Sequence, residues 1–190
     1  MIYPKYEYED LPLRQRKNVK AALSGEHPEW TDALNEAADM LGTGMTLSLL
    51  GTRGTGKTQL AVCLCYYAAR RKMSFRYVTA YEMFSSIKET YRDDSKTGEA
   101  GVMAYLNNCG LLIIDELNEA NRTTWEGHIL SHLIDLRYQK ERDTVMISNY
   151  TREQFNEAVG DSIVSRMDET GGYIECRWDS FRKQKKGAVK

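Results

Sequence analysis

The sequence predicts an α/β fold in which a five-stranded parallel sheet carries helices on both faces. Three observations predict it. Residues Gly51-Thr52-Arg53-Gly54-Thr55-Gly56-Lys57-Thr58 stand between an apolar run of strand length and a segment rich in helix formers. Leu111-Leu112-Ile113-Ile114-Asp115-Glu116 is a bulky apolar run ending in two carboxylates, which suits a central parallel strand buried on both faces. From residue 45 onward strand-like and helix-like segments alternate, and alternation implies parallel strands joined by right-handed crossovers.

Taken in chain order, residues 1–10 hold Tyr3, Tyr6 and Tyr8 among acids and are expected to extend over the surface. A helix is expected over 13–23 with a break at Gly25. Pro28, a favoured first-turn residue, opens a second helix through residue 40. Strands are expected at 45–50, 74–79, 111–114, 144–148 and 172–176, with helices near 57–71, 81–92, 99–108, 124–139 and 152–169. The chain therefore divides into an N-terminal part, 1–44, packed on the core, a nucleotide-binding domain, 45–183, and a basic tail, 184–190. Arg182, Lys183, Lys185, Lys186 and Lys190 are cations with no acid after Asp179, which reads as a solvated tail or a phosphate contact.

The octet is a complete G-x-x-x-x-G-K-[ST] phosphate-binding loop in the strand–loop–helix context such a loop requires. Gly54 and Gly56 permit backbone angles that let successive N–H groups face one concavity, and the positive end of the following helix favours phosphate there. Lys57 is expected beside the β- and γ-phosphates of a nucleotide, with the Thr58 hydroxyl on Mg²⁺. Gly51, Thr52, Arg53, Gly54, Thr55, Gly56, Lys57, Thr58 and Gln59 are the expected nucleotide-contacting residues. Asp115, at a strand tip where ligands of open α/β sheets bind, is expected to hold Mg²⁺ directly or through water. Glu116 is placed to polarise the attacking water.

Thr144-Val145-Met146-Ile147-Ser148-Asn149 is a third strand ending in a polar pair. In P-loop ATPases with an additional strand, this one lies between the other two. Asn149 then enters the gap between phosphate loop and acidic pair, where it can bond the γ-phosphate or the water; the plainer role is a turn residue. Around Gly160-Asp161-Ser162-Ile163-Val164-Ser165-Arg166-Met167, the residues Ile163, Val164 and Met167 share a helical face, and Arg166 is expected to project from its edge.

Phosphate loop, Asp-Glu pair, Ser-Asn strand end and Ser-Arg-Met helix, in this order, resemble AAA+ ATPases. More narrowly the chain is similar to DnaC-type bacterial helicase loaders and their IstB-type relatives. The narrow match rests on Gly54 to Lys57, Leu111 to Glu116, Ile134-Asp135-Leu136-Arg137, Ser148-Asn149 and above all Trp178-Asp179-Ser180-Phe181-Arg182. It covers approximately residues 45 to 183. Arg53 occupies a variable loop position, and no lid with a second sensor arginine is found.

The resemblance implies ATP or ADP with Mg²⁺ at a junction between copies of the chain. Lys57, Thr58, Asp115, Glu116 and Asn149 come from one copy, and Arg166 reaches in from the next. It implies self-association through ATP-bridged interfaces, single-stranded DNA as polymer partner and a replicative helicase as cargo. The positions matching the DNA-contacting residues are Tyr91, Thr123 and Trp125; packing in the core is the plainer role of both aromatics. Loaders generally carry a separate helical region that grips the helicase, and the 44 residues before the first core strand leave no room for one. An isolated ATPase domain or a short protein with another mode of engagement is expected. The rival readings are an IstB-type transposition ATPase assembling on duplex DNA, a small-molecule P-loop kinase, and a nucleotide-dependent adaptor with little hydrolysis.

Composition narrows these classes. Hydrophobic residues make 42% of the chain and charged residues 28%, as in soluble globular proteins. A net charge of −1 gives no global basic field, so any DNA contact needs a local patch. Cys63, Cys65, Cys109 and Cys176 have no metal spacing and read as buried thiols of a cytoplasmic protein. His128 and His132, one helical turn apart, lack a third ligand and read as surface or packing residues. No apolar run reaches the ~20 residues that span a bilayer, and the start is not a signal peptide, so no membrane partner is expected.

Overall fold

The structure, a computed structural model, describes residues 11–92, 98–119 and 123–182. The expected surface segment at 1–10 and the basic tail at 184–190 lie outside the described residues. Two helices come first, α1 (Leu13–Ala22) and α2 (Pro28–Asp39), and then β1 (Thr46–Leu50), α3 (Lys57–Arg70), β2 (Phe75–Thr79), α4 (Ala80–Glu89) and α5 (Glu99–Asn107). The second half runs β3 (Leu111–Asp115), α6 (Thr124–Tyr138), β4 (Asp143–Ser148), α7 (Arg152–Val159), α8 (Asp161–Thr170) and β5 (Gly172–Glu175). The strands form one parallel sheet in the order β2-β3-β4-β1-β5. Thus β4 lies between the strand before the glycine loop and the strand that ends in the acidic pair, as expected from sequence.

Alternation along the buried strands divides the core in two. Leu47, Leu49, Leu111, Ile113, Val145 and Ile147 face the layer built by α1, α2 and α3. Leu50, Leu112, Ile114 and Met146 face the layer built by α4 to α8. The run Leu111–Ile114 is continuously apolar because its successive side chains serve opposite layers, both of which exclude water. Several helix starts are set locally by capping boxes: Thr79 with Glu82 for α4, Thr123 with Glu126 for α6, and Thr151 with Gln154 for α7. Pro28 takes the first turn of α2, where its missing N–H costs nothing.

One expected element differs. The single helix expected over 152–169 is two helices, divided at Gly160, whose φ of +81° and ψ of 162° belong to no helix. The turn lets Phe155 and Val159 on α7 and Ile163 and Met167 on α8 all enter the same core layer. One straight helix would carry some of them away from it.

A buried cation ties the second layer to the sheet. Arg137, on α6, is fully buried. Its guanidinium donates to the Leu106, Asn107 and Cys109 carbonyls at 3.0–3.1 Å, to Thr144 Oγ1 at 2.8 Å and to the Asp143 carbonyl at 2.5 Å. These acceptors belong to the α5–β3 turn and the start of β4, so one side chain fixes both relative to α6. The Asp143 carboxylate in turn accepts from the N–H groups of Gly42, Gly44 and Met45, holding the entry to β1 beside β4. All four cysteines are buried, and burial raises the Cys63 thiol to about 11. His128 and His132 are exposed on α6. No helix among the described residues is long and apolar enough to cross a membrane.

Arg137→Met keeps the volume and leaves these carbonyls without their donor. A loss of roughly 3 kcal/mol or more is expected, at about 1–3 kcal/mol per unsatisfied buried group. At about 2–4 °C per kcal/mol for a chain of this size, the thermal midpoint should fall by at least ~6 °C. A shift below ~2 °C in a circular-dichroism melt would count against the role of the buried guanidinium.

Candidate functional site

Parallel register brings the polar strand ends to one edge of the sheet. Leu50 pairs with Ser148, Thr79 with Asp115, and Ile114 with Met146, so the chain leaves β1, β3 and β4 side by side at their carboxyl ends. A cleft of ≈ 460 Å³ lies there. Its lining includes Arg53, Gly54, Gly56, Lys57, Thr58 and Gln59 from the glycine loop and the start of α3, with Asp115 and Glu116 after β3 and Asn149 after β4. These are residues that the sequence singled out, and the fold brings them together. Gly51, Thr52 and Thr55, also expected at the nucleotide, do not line the cleft: the Gly51 and Thr52 carbonyls accept from Lys57, and the Thr55 hydroxyl donates to the Thr52 carbonyl at 3.0 Å.

The loop has the backbone that its glycines permit. Gly51, Gly54 and Gly56 have φ of +137°, +95° and +84°. Gly56 is the residue before α3, so the first N–H groups of that helix face the cleft. Lys57 is buried, and its ammonium donates to the carbonyls of Gly51 at 2.6 Å and Thr52 at 2.8 Å. Burial lowers its pKa from the ordinary value, and the Asp115 charge partly opposes that shift.

Asp115 is 3% exposed and accepts three hydrogen bonds. Its Oδ2 receives the Thr58 hydroxyl at 2.8 Å and the Tyr77 hydroxyl at 2.6 Å, and its Oδ1 receives the Glu116 N–H at 2.7 Å. Glu116 is exposed to the cleft with φ of +59°, a left-handed conformation that a glutamate adopts only at a cost. The Asn149 N–H donates to Asn118 Oδ1 at 3.1 Å, and the Tyr150 hydroxyl donates to the Asn118 carbonyl at 3.3 Å. Asn118 thereby couples the segment after β3 to the tip of β4. An alcohol beside a buried, oriented carboxylate is an all-oxygen donor set, which fits a hard cation such as Mg²⁺.

The Trp178-Asp179-Ser180-Phe181-Arg182 segment lies directly on the glycine loop. Trp178 Nε1 donates to the Thr55 carbonyl at 2.8 Å, the Phe181 N–H to the Gly54 carbonyl at 3.0 Å, and Trp30 Nε1 to the Gly56 carbonyl at 3.2 Å. A Cβ added at Gly54 would stand 2.1 Å from Ser180 Oγ, and one at Gly56 would meet Trp30 at 2.9 Å and Phe181 at 3.0 Å. The glycines are therefore required both by their φ angles and by the side chains that cover them. Phe181 and Arg182 wall the cleft on this side, and Arg14, Gln15 and Asn18 of α1 wall it on another. Sequence reasoning did not place Arg14, Gln15, Asn18, Tyr77, Asn118 or Phe181 in the site, and it read Arg182 as part of a solvated tail or as a phosphate contact. Only Phe181 and Arg182 carried a signal, the specificity of the 178–182 motif.

Arg166 lies outside the cleft. Instead of projecting freely, it is half-buried and folded against its own chain, because a carboxylate stands within reach on α6. It pairs with Asp135 Oδ1, donates to the Ser162 carbonyl at 2.6 Å and lies over the Tyr138 ring at 5.4 Å. Two of the residues expected at DNA, Tyr91 and Trp125, meet edge to face at 6.2 Å, and Lys88 Nζ lies 5.0 Å from the Trp125 ring centre. Tyr91 is 56% exposed, whereas Trp125 is half-buried against Phe84. The Thr123 side chain is engaged as the cap of α6.

Residues 35–188 match the family model described as IstB-like ATP binding protein. The replicative helicase loader DnaC of Escherichia coli is 27% identical over 180 residues, which cover 93% of this chain and 73% of that protein. Two solved structures show the same fold. The replication initiator DnaA bound to AMPPCP and single-stranded DNA matches with a TM-score of 0.69 at 21% identity, over 85% of this chain and 50% of that one. The DnaC helicase loader crystal structure matches with a TM-score of 0.61 at 17% identity, over 92% and 93%.

Trp178→Phe keeps a ring in place and deletes the N–H that holds the Thr55 carbonyl. Loss of one such bond, about 1 kcal/mol, should lower the thermal midpoint by only about 2–4 °C and weaken binding of a fluorescent adenine nucleotide about fivefold. Unchanged affinity would show that the segment covers the loop without setting its conformation.

Proposed function

This chain belongs to the IstB-like ATP-binding protein family, and we propose that it binds and hydrolyses ATP with Mg²⁺ to deliver a replicative helicase onto single-stranded DNA. One observation carries the nucleotide part of this reading: Lys57, Thr58, Asp115, Glu116 and Asn149 line a single cleft at the carboxyl edge of β1, β3 and β4. On this reading the loop N–H groups and Lys57 bind the triphosphate. Glu116 takes a proton from the attacking water, and Asn149 orients that water against the γ-phosphate. Thr58 and Asp115 are the residues that would hold Mg²⁺, which when bound neutralises phosphate charge.

The arginine is supplied in trans. Arg166 exchanges its contact with Asp135 for the γ-phosphate of an adjacent copy, so assembly and turnover are linked. The Asp135 pair is only partly shielded from solvent, which keeps the exchange inexpensive. Lys88, Tyr91 and Trp125 form the DNA face, where an aromatic pair with a neighbouring cation suits sequence-tolerant stacking on single strands. The DnaC relative, a replicative helicase loader that aligns with 93% of this chain, supports the helicase as cargo. The IstB-like family match favours one second reading, assembly on duplex DNA to recruit a transposase.

Arg166→Ala is expected to lower ATP turnover by about 10³-fold without weakening nucleotide binding, and Glu116→Gln to bind ATP but not turn it over. Mixing the two inactive variants should restore measurable turnover, because a mixed junction joins an intact Glu116 to an intact Arg166. No recovery on mixing would exclude completion in trans. Trp125→Ala should weaken binding of a single-stranded oligonucleotide by about 1–3 kcal/mol, and equal losses on duplex and single strands would favour the second reading. Capture of a hexameric helicase with ATP present would support loading; capture of a transposase would overturn it.

A further inference from the structure

We infer that Tyr77 is a positioning residue for the metal-side carboxylate, holding Asp115 in the orientation in which it receives Mg²⁺. The inference rests on the reading of Thr58 and Asp115 as the residues on that side of the nucleotide. Tyr77 lies on β2, the edge strand, in register with Ile113, two residues before the Thr79–Asp115 pair. Its ring is half-buried against the core layer that contains α3. From there its hydroxyl reaches the tip of the neighbouring strand and donates to Asp115 Oδ2 at 2.6 Å.

The geometry separates this bond from ordinary packing. Asp115 is held by donors from three directions: Tyr77 across the sheet, Thr58 from the start of α3 at 2.8 Å, and the N–H of the next residue at 2.7 Å. The N–H fixes Oδ1, and the two hydroxyls share Oδ2. On that reading Thr58 serves the ion as well, through the lone pairs of its hydroxyl. Tyr77 has no such second duty, and its hydroxyl is the donor that keeps Oδ2 in place throughout. Partners of metal-binding carboxylates set both orientation and charge, and losing one typically costs 10–100-fold in metal affinity.

The test uses the full chain, a fluorescent ATP analogue and Mg²⁺ titration. Tyr77→Phe, which removes one oxygen, should bind the analogue in EDTA within about twofold of wild type. The Mg²⁺ concentration at half-effect should rise about tenfold. Asp115→Asn is run beside it. If Asp115→Asn raises the Mg²⁺ requirement and Tyr77→Phe does not, Tyr77 has a packing role only and the inference is overturned. If Asp115→Asn also leaves the requirement unchanged, the metal-side reading of Asp115 fails and the role of Tyr77 falls with it. A Tyr77→Phe variant that loses affinity equally with and without Mg²⁺ would likewise overturn it.

Discussion

Insertion of β4 between β1 and β3 is the constraint on which the rest of the molecule depends. In a sheet where β1 and β3 were neighbours, the glycine loop and the acidic pair would lie one strand spacing apart, about 4.8 Å, and no other strand end would lie between them. The additional strand opens that gap and puts Ser148 and Asn149 at its edge. The same insertion requires β4 to be buried on both faces, and its apolar residues divide between the two core layers. It also explains why the start of β4 is so heavily held. Arg137 bonds the Asp143 carbonyl and the Thr144 hydroxyl, while the Asp143 carboxylate gathers the N–H groups leading into β1.

The ionic groups follow a common rule of burial with saturation. Arg137, Asp143, Asp115 and Lys57 are all nearly or fully buried, and each is matched to several dipoles. Such groups stabilise little against an apolar alternative, but each is costly to leave unmatched. Their value here is geometric. They select one arrangement of turns around the strand ends, where the chemistry requires fixed positions. Arg166 contrasts with them: its pair with Asp135 is partly open to water, which suits a residue read as one that must change partners.

Much of this was legible in the sequence wherever the cause is local. The glycine octet needs only its own residues to set its backbone, and the run Leu111–Asp115 declares a doubly buried strand by composition alone. Family resemblance supplied the central place of β4. Contacts between distant segments were not legible. Nothing near Tyr77 announces that its hydroxyl reaches Asp115, and Asn118 is one polar residue among several after the acidic pair. The helix expected over 152–169 concealed a break because Gly160 is tolerated within a helix, and only the need to bury both Phe155 and Met167 decides against continuity. Arg166 was expected to project, and Asp135, thirty-one positions earlier, supplied a partner that helical spacing cannot show.

The segment from Trp178 to Arg182 does more than roof the cleft. Its amide and indole groups grip the carbonyls of Thr55 and Gly54, and Ser180 occupies the space that a side chain at position 54 would need. The glycine loop and this stretch are therefore bonded directly to each other. A shift of residues 178–182 would reach the nucleotide cleft through these contacts. Thermodynamic reciprocity makes the linkage two-way: whatever draws on this stretch alters how firmly nucleotide is retained, and nucleotide occupancy alters how readily the stretch yields.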